Sequence, residues 1–420
     1  MGTVATENLT SLASVFRRQL AETGRNNTMA SGMNLDRVDE EHRTMSAQNS
    51  WERRELALLA SYAMFASESV GRVYDEPPHE YRSPFQRDRD RVLHSSAFRR
   101  LSGKMQVFTG EMGDYHRTRL THTHEVANIA RTLGRVLRLN EDLIEALALL
   151  HDIGHPPYGH SGEDALDECL GDHGGFSHNR FALDLVQTLE IRYTTYPGLN
   201  LSREVLAGQD FRITHEGCTP LLEVQIVDLA DSLAYNAHDV DDALALGLLD
   251  FDELAKLDLV DRAIEYGMQR GHARTQLGSR KSLVHSLIDV QVADLLNVAR
   301  EKLATLDGVD SRGVQELGIE IEMSPVIASE REQLSQYLFD RVYRHATLCE
   351  IRKEAAQRVS RLYELLVAHP QILPSRFQSL ADQNGVEPTV GQFIGGMTDR
   401  MCDAQYQAIV VDGCREAELW

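Results

Sequence analysis

The stretch from Leu149 to His160 carries His151, Asp152, His155 and His160 directly after an apolar run, spaced by Gly154, Pro156, Pro157 and Gly159. Imidazoles and carboxylates bind divalent cations, which take about four such groups from elements that meet in space. His151 and Asp152 are adjacent, so a regular helix would direct them about 100° apart, yet at a helix end both can reach one ion. His122 and Asp231 complete a set of two imidazoles and two carboxylates, with Asp228, one turn before Asp231, as an alternative fourth member. A single histidine in an apolar helix is ordinarily a core residue. The combination, closing a buried helix, is what points to a metal. With no thiolate, the set suits Mn, Mg, Fe, Co, Ni or Zn and selects none of them. Such an ion lowers the pKa of a water or polarises a phosphoryl oxygen. His155, His160 and His178 are then spare imidazoles that titrate near neutral pH and can act as general acid or base. Glu163 can orient His160. For His178 a plain helix-start role competes with the functional one.

These groups need elements to carry them. Arg117 to Leu139 has the spacing of an amphipathic helix, with Leu120, Val126, Ile129 and Leu133 on the side toward which His122 points. Asn140-Glu141-Asp142 supplies an N-cap and first-turn acids for the next helix. That helix, Leu143 to Leu150, is almost wholly apolar and must be buried. Ser161 to Asp164 reads as a capping box, with Ser161 at the N-cap, opening a helix to about Leu170. Another helix starts at Phe176 to Asn179 and runs through Leu189. Leu221 to Leu246 forms one long helix, on which Asp231, Tyr235 and Asp239 fall at i, i+4 and i+8 along one face. Helical spacing also covers Glu52 to Val70, whereas Tyr193 to Thr219 reads as loop with a short hairpin. Arg341 to His345 is a basic and aromatic cluster, and Leu348 to Trp420 is helical, punctuated by Pro370, Pro374, Gly385 and Pro388. The fold class is all-α. We expect an N-terminal arm at 1–50, partly disordered or ordered on a partner subunit. A catalytic core follows at 51–250. A helical region at 251–420 then completes the substrate pocket and the oligomer contacts.

Composition restricts the partners. The 420 residues carry a formal charge of −21, and the acidic surface repels nucleic acid and anionic membrane. No apolar run reaches the roughly 18–20 residues of a membrane span. Five scattered cysteines without a CxxC pair suggest a reducing cytoplasm. Against this acidity, Arg82, Arg87, Arg89, Arg91, Arg99, Arg100 and Lys104 form a basic series. It is either a helix face neutralised by Asp88 and Asp90 or a wall facing a polyanion.

Several motifs together resemble a known family. They are Ser83 to Asp88, Phe98 to Leu101, Lys104 to Phe108, Arg117 to His122, His151 to His160, and Val227 to Asp231 through Ala234 to Asp239. On these the chain resembles the HD-domain metal-dependent phosphohydrolases, and within them the bacterial dGTPase-like deoxynucleoside triphosphate triphosphohydrolases. The resemblance runs from about Tyr81 to Ala243 and more weakly to Arg400. It implies a multi-helix HD core with a helical C-terminal extension. The implied activity is hydrolysis of dGTP or other dNTPs to deoxynucleoside and inorganic triphosphate. Carried over by position, His122, His151, Asp152 and Asp231 look like the metal ligands, in preference to Asp228. Gln106, Tyr235 and Asp239 look like sugar contacts, and Arg119 like an α-phosphate contact. His155 and His178 resemble phosphate-side residues, and His160 with Glu163 the catalytic pair. Tyr343 resembles a sugar-packing tyrosine that excludes a ribose 2′-hydroxyl, with His345 beside it. At the position after the last metal aspartate the animal branch has lysine and this chain has Ser232. Phosphate charge then falls to Arg119, the metal, the histidines and arginines of the basic series. The family also implies a homo-oligomer, often a hexamer, with dNTPs as effectors. The rival readings are another HD-type phosphohydrolase, acting on nucleoside monophosphates or as a phosphodiesterase, and a non-catalytic assembly that senses dNTPs or binds single-stranded nucleic acid.

Overall fold

The computed structural model describes residues 50–106, 117–214, 219–271, 280–306 and 308–413. The expected arm at 1–50 lies almost wholly outside the described residues. The protein is all-α, and among the described residues only isolated bridges form, such as Arg72 with Ser202 and Met105 with Thr118. No helix among them is long and apolar enough to cross a membrane.

The elements that build the centre follow from their caps and apolar faces. Helix α1 (Pro84–Leu93) starts with a complete capping box between Ser83 and Gln86. Helix α2 (Arg119–Val136) is capped by Thr118 and buries His122, Val126, Ile129, Ala130 and Leu133. Helix α3 (Glu141–Leu150) is capped by Asn140, whose side chain accepts from the Asp142 and Leu143 amides. Every α3 residue from Leu143 on is buried except Glu145. Next come α4 (His160–Cys169), α5 (His178–Asp184), α6 (Arg203–Thr214) and α7 (Leu222–Ala245). The C-terminal half adds α8 (Arg280–Leu303), α9 (Pro325–Leu338), α10 (Ala346–Ala368) and α11 (Val386–Gly395).

Helices α2, α3 and α7 pack on one another, α1 and α6 cover α3, and α8 and α9 cover α7. One apolar core runs through all of these, from Ala63 to Leu348. A second gathers Leu166 and Leu170 of α4 with Leu362 and Leu366 of α10 and Phe393 of α11. Helix α4, which carries His160 and Glu163, is thus held from the C-terminal side.

Three local expectations are corrected. The helix read over Glu52 to Val70 spans only 50–58, followed by a short 3-10 turn at Ala66–Glu68. The chain leaves helical geometry because buried carboxylates take its amides. Glu223 accepts from the Met64 amide at 3.0 Å, and Glu55 from the Ala66 amide at 2.8 Å. The loop and hairpin read over Tyr193 to Thr219 contain helix α6 instead, and among the described residues the pairing near it is limited to isolated bridges, Ile191 with Gly198 and Arg72 with Ser202. Packing decides this: Gly208 brings α6 so close that an added Cβ would lie 2.8 Å from Leu147 and 2.9 Å from Val224 side-chain atoms. The capping box at Ser161 is absent too. Helix α4 begins at His160 behind Gly159, which has φ 59° and makes no side-chain cap bond.

Glu223 is fully buried and also accepts from the Asn140 amide at 3.1 Å, so it ties the 60s segment to the start of α3. Burial pushes its carboxyl pKa up, against those two hydrogen bonds. Glu223→Ala leaves both amides buried without an acceptor and is expected to cost about 3 kcal/mol in urea unfolding. Glu223→Gln keeps one acceptor oxygen and is expected to cost about 1 kcal/mol. Equal losses for the two would refute the acceptor role.

Candidate metal centre and active site

His151 is the C-cap of α3, where the helix delivers it to the junction with α2 and α7. Its Nδ1 donates to the Ala148 carbonyl at 2.6 Å, which leaves Nε2 as the outward lone pair. That Nε2 is buried without a hydrogen-bond partner, 3.7 Å from Asp231 Oδ1 and 3.7 Å from Asp152 Oδ1. His122 Nε2 lies 2.9 Å from the same Asp231 Oδ1. The ligand atoms of His122, His151 and Asp231 all fall within 4.8 Å of one another. An orphaned imidazole nitrogen facing carboxylate oxygens is what a divalent cation would satisfy, so the donor set fits a metal.

Asp152 joins this group more loosely. Its Oδ1 accepts from His155 Nε2 at 3.1 Å, and its Oδ2 pairs with Arg119 Nη1 at 3.0 Å. Asp228 is turned away, accepting from Arg212 Nε at 2.7 Å. One turn of α7 therefore separates an aspartate in the cluster from one outside it.

The charge states suit a ligand set. Burial lowers the His151 pKa, with Asp152 and Asp231 opposing and His122 and Arg212 adding to it. Burial would raise Asp231, but the neighbouring His151 imidazole and the His122 hydrogen bond bring it down to about 2. Asp152 goes the same way: burial acts to raise it, and Arg119, His151 and His155 hold it well below the usual range. At neutral pH both carboxylates are ionised and His151 is neutral, which is the form that binds cations.

Beyond Asp152 the polar chain continues into a second cluster. His155, fully buried, stacks on His178 with ring centroids 3.8 Å apart. Glu163 Oε1 accepts from the His178 backbone amide at 2.9 Å and lies 2.7 Å from His178 Nδ1. Its Oε2 lies 3.1 Å from His160 Nδ1. Burial would raise the Glu163 pKa, but the His160 and His178 hydrogen bonds win and hold it far below normal. Glu163 thus caps the start of α5 and orients two imidazoles together. His160 is 62% exposed at the opening. Glycines permit the crowding: a Cβ on Gly154 would lie 2.0 Å from the His178 carbonyl, and one on Gly159 2.9 Å from Arg119 Nη2.

The expected sugar side is a separate polar group. Tyr343 donates to the Tyr235 hydroxyl at 2.9 Å. Asp239 is fully buried with neither oxygen hydrogen-bonded, and Gln106 Oε1 is likewise buried and unpartnered. Burial and the neighbouring Asp242 push the Asp239 pKa well up. His345 does not join them; it is exposed at the N-cap of α10.

Two features escaped the sequence reading. His122 Nδ1 meets His238 Nδ1 at 3.1 Å, and His238 Nε2 is in ion-pair contact with Glu125, which pairs with Arg117. Glu125 does lie at helical spacing from His122, but the His238 link is tertiary. Lys104 is fully buried and donates to the carbonyls of His155 and, at 3.0 Å, Gly395. The basic series to which it belongs is spent elsewhere: Arg82 pairs with Asp90, Arg87 and Arg91 with Glu76, and Arg89 with Asp90 and Asp142.

Metal titration by calorimetry is expected to show binding in the wild-type chain, weakened at least about tenfold in His151→Ala and Asp231→Ala. His238→Ala, which removes the partner that orients His122, is expected to cost about 10- to 100-fold in affinity. Unchanged affinity in all three would remove the centre.

The HD domain family matches residues 119–236, and the phosphohydrolase-associated domain matches residues 321–408. A deoxyguanosinetriphosphate triphosphohydrolase-like protein of Thiobacillus denitrificans is 39% identical over 372 residues, covering 84% of this chain and 97% of the relative. Proteins of the same name from Geobacter metallireducens and Geobacter sulfurreducens are each 38% identical, again over 84% of this chain, and covering 94% and 96% of their own lengths. With its His/Asp centre and this similarity over most of its length, the chain is a metal-dependent phosphohydrolase and belongs to the HD-domain dGTPase-like family.

Proposed function

We propose that the protein hydrolyses deoxynucleoside triphosphates, dGTP among them, to deoxynucleoside and inorganic triphosphate. The observation that carries this reading is the adjacency, through Asp152 and His155, of a metal-competent cluster and an imidazole–carboxylate cluster. The site also has a sugar-facing end whose buried acceptors are unpartnered.

His122, His151, Asp152 and Asp231 would hold a divalent cation, which when bound supplies positive charge at the phosphoryl oxygens and acidifies a water. Arg119, whose Nε has no partner, contributes fixed positive charge toward the α-phosphate. Asp239 and Gln106 offer hydrogen bonds to the deoxyribose hydroxyl, and Tyr235 with Tyr343 closes the space around the sugar. Water attacks the α-phosphorus in line as the bond to the 5′-oxygen breaks, and the proton that the water loses passes to solvent. His160, exposed at the opening and oriented by Glu163, delivers a proton to that oxygen, with His178 sharing the same carboxylate. His155 faces the phosphates from behind this pair. The reading carries a cytoplasmic homo-oligomer, a hexamer by preference, with dNTP effectors; sedimentation with and without dNTP tests the assembly.

Anion-exchange analysis after incubation with each dNTP and Mn or Mg is expected to show triphosphate and deoxynucleoside. Release of monophosphate or orthophosphate alone would favour another HD-type phosphohydrolase, and binding without turnover a dNTP sensor. Tyr343→Ala is expected to raise GTP and ATP cleavage relative to dNTP by about tenfold. An unchanged ratio would remove its part in excluding the ribose hydroxyl.

A further inference from the structure

One carboxylate of the C-terminal region reaches two separate segments of the site. Asp399 opens helix α12 (Asp399–Gln405), whose N-cap Thr398 accepts from the Met401 amide at 3.2 Å. It lies within the matched phosphohydrolase-associated domain. Asp399 Oδ1 accepts from the Tyr158 amide at 2.9 Å, and Oδ2 accepts from the Met105 amide at 3.0 Å. Burial pushes the Asp399 pKa up, and the two amides, Lys104 and Arg119 oppose it.

Each amide adjoins a different end of the site. Met105 is followed by Gln106, whose Oε1 is buried without a partner on the expected sugar side. This segment runs along the start of α2: Met105 bridges to Thr118, the Gln106 amide donates to the Arg117 carbonyl at 3.3 Å, and the Arg119 amide donates to the Lys104 carbonyl at 2.9 Å. Tyr158 stands at the other end, just before Gly159 and His160. It has φ 63°, and Gly159 has φ 59°. The left-handed region is unfavourable for a residue with a Cβ and persists only where the surroundings fix it. Helix α12 fixes it twice. Asp399 takes the Tyr158 amide, and Asp403, one turn later, accepts from the Tyr158 hydroxyl at 2.6 Å. The two oxygens of a carboxylate are rigidly spaced, so amides bound to both are held in register with each other.

We propose that Asp399 is a positioning residue for the hydrolysis: by holding the Met105 and Tyr158 amides on its two oxygens, it fixes Gln106 at the sugar relative to His160 at the leaving oxygen. It acts through those two residues and not on the reacting atoms. The metal-competent cluster of His122, His151 and Asp231 is carried by α2, α3 and α7 and does not depend on it. This inference rests on the proposed function and gives the C-terminal region a part in aligning proton delivery with the bound sugar.

The test uses the full chain, with constants taken per folded molecule. In Asp399→Asn only one amide keeps an acceptor, because the side-chain nitrogen is itself a donor. We expect kcat for dGTP to fall at least about tenfold and KM to rise, since a misplacement of about 1 Å suffices for such losses. Mn affinity by calorimetry is expected to match wild type. Asp399→Ser, which leaves both amides without the carboxylate, is expected to lose at least as much, and it serves if the asparagine variant does not fold. Thr398→Ala removes the cap of the same helix and keeps the carboxylate; it is expected to lower the melting temperature and leave kcat and KM unchanged. Wild-type kcat in Asp399→Asn overturns the proposal. So does an equal loss of kcat in Thr398→Ala, or a loss matched by weaker Mn binding, either of which would make Asp399 a structural tie alone. If the wild-type chain turns over no dNTP, the functional reading fails by itself. Amide hydrogen exchange then decides the role of Asp399: faster exchange of the peptides containing Met105 and Tyr158 in Asp399→Asn, but not in Thr398→Ala, supports it as the group that sets both segments, and unchanged exchange removes it.

Discussion

The Asp152 carboxylate is the junction on which the site depends. It sits at the end of an apolar helix, nearly inaccessible to water, and a charge in such a place survives only when it is paired. Arg119 takes one oxygen, His155 takes the other, and His151 approaches that same oxygen at 3.7 Å. These partners belong to different functional groups. Through His151 the carboxylate touches the metal-competent cluster, and through His155 it touches the imidazoles held by Glu163. A single buried charge therefore joins the metal-competent cluster to the imidazoles held by Glu163.

That arrangement demands close approach of backbone segments, and glycine supplies it where side chains would collide. Gly154 lets the start of α5 come against the turn after His151, and Gly159 turns with φ 59° beside the Arg119 guanidinium. The C-terminal helices then hold α4 in place by burying Leu166 and Leu170 against Leu362 and Phe393. Lys104 pins the same region from inside through the His155 and Gly395 carbonyls. The turn from His151 to His160 is thus fixed from both halves of the chain, although its own residues are contiguous.

Charge is apportioned unevenly. Most arginines near the core serve acids of the surrounding shell, as Arg91 and Arg87 serve Glu76, whose pKa is brought to about 2 by Arg91, Tyr196 and Asn200 against the effect of burial. Near the metal-competent cluster, Arg119 of α2 pairs with Asp152 and Arg212 of α6 with Asp228. In a chain with a formal charge of −21, positive charge is thus concentrated locally around the centre.

The all-α class, the buried helix ending in His151 and Asp152, and the inward side of the helix bearing His122 were legible because apolar periodicity and caps are local properties of a chain. So was the shared face of Asp231, Tyr235 and Asp239, which helix geometry alone dictates. The capping box expected from Ser161 and Asp164 is absent because the helix starts earlier, at His160 behind Gly159 with φ 59°, which puts Ser161 inside the first turn. Helix α6 was missed because its helicity depends on docking Gly208 between Leu147 and Val224. Spacing alone left Asp228 and Asp231 both open, with only the resemblance favouring Asp231; their different partners, the His122–His238–Glu125 chain, and the Arg331 contact to Ser232 all depend on which helices meet. Sequence determined which groups were available and which way each helix faced; only tertiary packing decided their partners, because pairing of buried charges is set by distances between elements far apart in the chain.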